Sequence, residues 1–173
     1  MRKILMLLLL LTTVGFSFPG SNDSLPNLYQ PRDEIFTSGQ PTSTGFNQLS
    51  DMGIRTVINV LPERDCIPGE SGMVVSEGMK YYQVPFDPQG LNMESIHHFS
   101  HLLFTVDRPL LVHCSTGNHA GGMWMAYRVL IEHASPPQAI AEGRMIGMKP
   151  AMEIAVLRWL ADPVSRAAKC PLP

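Results

Sequence analysis

The chain has 173 residues, 45% of them hydrophobic, which suits one domain with a sizeable core. Its 13 basic and 15 acidic residues nearly cancel, leaving a net charge of −2 and no basic stripe, so nucleic acid is not an expected partner.

Arg2 and Lys3 precede an apolar run, Ile4 to Leu11, and smaller residues follow from Thr12 to Ser17. A basic start, a short apolar middle and small residues at the end are the pattern of a secretory signal peptide over 1–17, with Gly15 and Ser17 suited to the cleavage site. The run is short for a membrane span, so no stable span is expected after its removal; an uncleaved N-terminal anchor is the alternative. A periplasmic or secreted protein would meet an oxidising compartment, which bears on Cys66, Cys114 and Cys170. Cys66 and Cys170 could pair, Cys66 could act as a resolving thiol for Cys114, or all three could stay unpaired.

Residues 18–32 are rich in Pro, Ser and Asn and read as an extended leader. A domain over 33–162 and a C-terminal tail over 163–173 complete the expected organisation. Residues 34–38 suit a short edge strand. Thr42 or Ser43 can cap a helix to about Met52, ended by Gly53. The β-branched stretch Arg55 to Val60 fits a central parallel strand. A polar loop follows over 61–72, then a short helix over 73–78 and a strand over 80–84. Pro85 to Gly90 is turn-rich. Asn92 can cap a helix whose apolar face is Ile96, Phe99, Leu102, Leu103 and Val106. Leu110 to His113 is a buried strand, and helices are expected over 123–134, 136–146 and 151–160, with Pro136 at the favoured first position. Strands alternating with helices imply an α/β fold, with a central, mostly parallel sheet flanked by helices.

The stretch 109–122, PLLVHCSTGNHAGG, carries the chemistry. A thiol at the end of a buried strand, before a loop of small residues that opens a helix, lies among backbone N–H groups with few local acceptors. Such a loop can hold an oxyanion, and the same field favours a thiolate nucleophile at Cys114. The pattern also describes an inert buried cysteine before an ordinary helix.

Five segments resemble one family. IFTSGQPT at 35–42, LSDMGIRTVINVLPE at 49–63, GMKYYQVPF at 78–86, the loop at 109–122 and AIAEGRMIGMKP at 139–150 are similar to the beta-lactamase hydrolase-like phosphatase family. That family lies within the cysteine-dependent protein tyrosine and dual-specificity phosphatases. The resemblance implies a protein tyrosine phosphatase-like (phosphotyrosine phosphatase II) fold. It implies hydrolysis of a phosphorylated protein (at phosphotyrosine or phosphoserine) or of a small aryl phosphate, through a cysteinyl-phosphate and without a cofactor. Cys114 would be the nucleophile, and the amides of Ser115, Thr116, Gly117, Asn118, His119 and Ala120 would hold the phosphate. His113 would orient the loop, and Asp87 would be the general acid or else a turn residue beside Pro88. Glu63 and Arg64 would brace the loop below.

The chain departs from that pattern in one respect. The family places an arginine six residues after the cysteine, or five in loops reading CxxGNR; these positions hold Ala120 and His119. The planar fork that matches two phosphate oxygens is missing from both. His119 could stand in as charge partner, or Arg144 could supply a guanidinium from a later helix. The hydroxyl that follows the signature arginine is also missing, since Gly121 stands there. A catalytically impaired relative that binds a phosphorylated or other anionic ligand is therefore the second reading. His97 and His101 have metal-capable spacing but lack a ligand set, and with His98 they read as surface residues, so no metal is expected. Met123, Met125, Met145, Met148 and Met152 read as core filling.

Overall fold

The computed structural model describes residues 22–163. The expected signal peptide over 1–17, most of the tail and Cys170 lie outside the described residues. Five strands form one sheet: β1 (Tyr29–Arg32), β2 (Ile35–Ser38), β3 (Thr56–Asn59), β4 (Lys80–Gln83) and β5 (Leu110–His113). Their order is β1-β2-β5-β3-β4, with β1 antiparallel to β2 and every other pairing parallel. The helices are α1 (Ser43–Asp51), α2 (Glu70–Ser76), α3 (Met93–Thr105), α4 (Asn118–Leu130), α5 (Pro136–Ile146) and α6 (Pro150–Ala161).

Alternation along the strands builds a core on each face of the sheet. Ile35, Ile58, Leu110 and Val112 join Phe99 of α3, Met123 and Trp124 of α4 and Met152 of α6 in one cluster. Phe36, Val57 and Leu111 turn the other way, toward Phe46 and Leu49 of α1 and Val74 of α2. Every residue of β2, β3 and β5 is buried, as a sheet covered on both faces requires.

Local chemistry sets the helix boundaries. Thr42 accepts from the Gly45 amide at 3.1 Å, and Asn92 accepts from the Ser95 amide at 2.9 Å, so both expected caps are in place. Gly53 ends the turn after α1 with φ 79°, a conformation glycine adopts without steric cost.

The structure differs from the sequence reading in four places. Part of the expected leader belongs to the domain: residues 29–32 form β1, and Leu25 is fully buried. That strand covers β2, which is therefore interior and not the edge. Helix α2 starts at Glu70, three residues earlier than its apolar residues suggest, because its first residue is a buried carboxylate. Helix α4 starts at Asn118, since the loop before it needs only Cys114 to Gly117.

Candidate active site

The parallel register brings three chain segments to the carboxyl edge of the sheet. Asn59 stands opposite His113 across the β3–β5 pair, and Gln83 stands opposite Asn59 across β3–β4. The segments after β5, β3 and β4 therefore emerge side by side, carrying Cys114, Arg64 and Asp87. Open α/β sheets build ligand sites at this edge.

Cys114 is fully buried and belongs to the main core cluster. Its amide donates to Ser38 O at 3.5 Å. The next carbonyls are held from outside the loop: Ser115 O accepts from the Gln40 amide at 3.0 Å, and Thr116 O from Asn27 Nδ2 at 3.1 Å. Gly117 turns the chain with φ 85°, and a Cβ there would lie 2.2 Å from Ile146 O, so no other residue fits. Asn118 Oδ1 accepts from the Lys149 amide at 2.8 Å, which ties the start of α4 to the start of α6. Among the described residues, the amides of Ser115 through Ala120 find no protein acceptor, whereas the Gly121 amide closes the first helical bond onto Gly117 O at 2.8 Å. The sequence leads to expect these six donors, and the structure gathers them in one loop and first helical turn.

His113 is fully buried, with Nε2 2.9 Å from Glu70 Oε1 and Nδ1 without a partner among the described residues. Glu70 is equally buried and accepts from Asn59 Nδ2 at 2.7 Å and Gln40 Nε2 at 3.0 Å. Burial alone would push its carboxyl up, but the contact with His113 and the Gln40 and Asn59 donors outweigh that and hold it below the usual carboxylate range. Sequence reasoning missed Glu70, which looks like a solvated residue in a polar loop. The only available signal was its place after Gly69 at the start of a short helix.

Asp87 stands after β4 as expected. It is gripped by Arg64, which donates Nη1 to Oδ2 at 2.5 Å and Nη2 to Oδ1 at 3.2 Å. The Gln89 amide adds a donor at 3.0 Å. Arg64 and that amide hold the Asp87 carboxyl below its ordinary value, so it is ionised at neutral pH. Arg64, read as a brace, is thus the partner of the proposed acid, reaching it from a 3-10 turn at Glu63–Asp65.

His119 is half-buried in the first turn of α4, and burial pushes its imidazole below the ordinary value, against the pull of Asp65 and Asp87. It is therefore neutral at pH 7 and offers a hydrogen bond rather than a charge. Ala120 is buried. Arg144 faces away from the role suggested for it, since its Nε and Nη2 bind Glu153 at 2.8 and 2.9 Å. Gly121 has no room for the family's hydroxyl: a Cβ would lie 2.4 Å from Gly143 O and 2.9 Å from Met148 N. Cys66 and Cys114 carry free thiols, and burial followed by the Glu70 charge pushes the Cys66 thiol up. His97, His98 and His101 are exposed, and the described residues hold no group of three or more His, Cys, Asp or Glu able to bind a metal. Met145 is 65% exposed and is not core filling, unlike Met123, Met125, Met148 and Met152. No helix among the described residues is long and apolar enough to cross a membrane.

No family model matches the chain. An inositol diphosphatase of Arabidopsis thaliana, DSP5, is 28% identical over 104 residues, which is 56% of this chain and 50% of that protein. The chain thus spans about half the length of this curated relative. Among solved structures, the core catalytic domain of the PP-IP phosphatase SIW14 from Saccharomyces cerevisiae superposes with a TM-score of 0.64 at 18% identity, over 82% of this chain and 87% of that one. Pseudomonas aeruginosa TpbA gives a TM-score of 0.64 at 18% identity, over 79% and 86%. A DUF442 protein of Shewanella putrefaciens gives 0.64 at 23% identity, over 79% and 88%. Sheet order, helix layers and these superpositions together establish that the chain has the protein tyrosine phosphatase-like fold.

Proposed function

We propose that this protein is a phosphatase that hydrolyses phosphomonoesters through a cysteinyl-phosphate on Cys114. One observation carries the reading: six consecutive amides, Ser115 to Ala120, lack protein acceptors immediately after a cysteine at the carboxyl edge of a parallel sheet. Such a row of donors is matched to the equatorial oxygens of a phosphoryl group. The Cys114 sulfur attacks phosphorus, an S–P bond forms, and the P–O bond to the alcohol breaks. The departing oxygen takes a proton from Asp87, and water then cleaves the S–P bond to release phosphate and regenerate the thiolate.

The geometry sets a condition on this route. Asp87 can donate only after Arg64 lets go of it, because the paired carboxylate holds no proton. With His119 neutral and arginine missing from positions 119 and 120, the cradle rests on amide dipoles more than on fixed charge. These same facts favour the second reading, an impaired relative that binds a phosphorylated or anionic ligand without turning it over.

The similar proteins support phosphorylated substrates of two kinds, inositol pyrophosphates for SIW14 and DSP5 and phosphotyrosine for TpbA, which has been solved with pTyr. The segments at 35–42, 49–63, 78–86 and 109–122 support a place in the beta-lactamase hydrolase-like branch. The basic and apolar start of the chain supports export, which N-terminal sequencing of the mature protein tests. The decisive experiment incubates the protein with para-nitrophenyl phosphate and traps the phosphoryl group by acid quench. A phospho-Cys114 peptide and loss of turnover in Cys114→Ser establish the enzyme. Tight phosphate binding with no turnover from pH 5 to 8 establishes the binding module instead.

A further inference from the structure

The polar network behind the cysteine has a geometry that core packing does not require. Glu70 is 1% exposed, yet it supplies no apolar surface. Its donors come from the ends of three neighbouring strands: Gln40 follows β2 at 3.0 Å, Asn59 closes β3 at 2.7 Å, and His113 closes β5 at 2.9 Å. In the sheet these strands lie in the order β2-β5-β3, with the nucleophile strand in the middle.

Two of the three donors also act on the segments that frame the site. The Gln40 amide holds Ser115 O at 3.0 Å, fixing the first peptide after Cys114. Asn59 Oδ1 accepts from the Leu61 amide at 2.8 Å, fixing the start of the segment that carries Arg64. His113 is the residue before Cys114. A buried carboxylate is costly unless it is paired and fully hydrogen-bonded, and this one is used to cross-link.

We propose that Glu70 is a positioning residue: its carboxylate locks the ends of β2, β5 and β3 so that the amides of Ser115 to Ala120 are set for an oxyanion. The proposal rests on reading that loop as the phosphate site.

Tungstate, an inert tetrahedral oxyanion, is the probe, used with the full chain by calorimetry. Amide hydrogen exchange over 110–120 serves as a readout that needs no ligand. Glu70→Gln keeps the shape but turns an NH2 group toward three donors. The expected result is tungstate binding weakened tenfold or more, faster exchange over 110–120, and a fall in kcat for aryl phosphate beyond any change in KM. Leu49→Ala, in the core on the opposite face of the sheet, is the stability control; it is expected to lower the unfolding midpoint while leaving tungstate affinity at the wild-type value.

If Glu70→Gln does not fold, Gln40→Ala removes one donor whose own Oε1 has no partner among the described residues, and it is expected to weaken tungstate severalfold. Wild-type affinity and wild-type exchange in the Glu70 variant, or in Gln40→Ala where that variant takes its place, would overturn the proposal, as would an equal loss in Leu49→Ala. A wild-type protein that neither binds tungstate nor hydrolyses phosphate would sink the phosphatase reading. The exchange over 110–120 would then decide the positioning role by itself.

Discussion

Arg64 grips both oxygens of Asp87, at 2.5 and 3.2 Å, and this pair joins the segment after β3 to the segment after β4. A planar guanidinium on a carboxylate is the strongest pairing available to an acid near the surface. It is also the arrangement least suited to an acid that must carry a proton. The pair therefore makes a direct test of the role of Asp87.

Arg64→Ala is expected to raise the Asp87 carboxyl toward its ordinary range, because Arg64 is the largest cause of its depression. At pH 5 the protonated fraction then grows, up to about tenfold for each unit of rise. Turnover of an alkyl phosphate, whose leaving oxygen needs a proton, should increase severalfold in kcat at pH 5. Turnover of para-nitrophenyl phosphate, whose leaving group is stable as an anion, should not increase. An unchanged or lower alkyl rate in Arg64→Ala, measured by phosphate release, would remove Asp87 from the acid role.

Positions 119 and 120 are not equivalent places to restore an arginine. His119 is partly exposed in the first turn of α4, whereas Ala120 is 1% exposed and packed in the main core. His119→Arg is expected to tighten phosphate binding by about tenfold, since one charged hydrogen bond adds about 1.5–3 kcal/mol. Ala120→Arg would bury a guanidinium among apolar side chains and is expected to give insoluble or unfolded protein. Calorimetric titration with phosphate checks the first and circular dichroism the second.

Gly121 is set by helix packing. Gly143 O and Met148 N of the facing segment leave no space for a Cβ, and both are backbone atoms that cannot rotate away. Gly121→Ser, which supplies the hydroxyl found in related loops, is expected to cost about 1–3 kcal/mol or more by overpacking. For a domain of this size each kcal/mol lowers Tm by roughly 2–4 °C. Thermal denaturation should show that loss together with no gain in turnover, because α5 must move before the hydroxyl reaches the loop.

The sequence made most of this architecture legible where a signal is local. Thr42 and Asn92 mark their helix starts by capping chemistry, and Leu110 to His113 is apolar enough to be a central strand whatever surrounds it. The loop from Cys114 to Gly117 is readable because thiol, small residues and glycine occur in order. Contacts made across the sheet were not legible. Residues 29–32 pair with β2 although their composition reads as leader, and Arg64 finds Asp87 across 23 residues of sequence. Glu70 and His113 lie 43 positions apart, so nothing local marks either as half of a buried pair. The neutral state of His119 follows from burial, which appears only once α4 is packed.

Glu70 predicts how stability depends on pH. Its folded carboxyl lies below its ordinary 4.5 because the contact with His113 and the donors from Gln40 and Asn59 together outweigh burial. A group depressed in the folded state contributes stability that is complete above its unfolded value and drains away as pH falls through the folded one. Wild-type stability should therefore decline as pH drops below about 4.5, more steeply than exposed carboxylates alone would cause. Glu70→Gln cannot titrate there, so it should be less stable than wild type at pH 7 but lose less on acidification. The two curves should converge toward pH 3. Urea midpoints taken from pH 3 to 7 for both proteins measure this directly. Parallel curves would mean that the carboxylate is not the titrating group, and that the three strand ends are held by packing rather than by its charge.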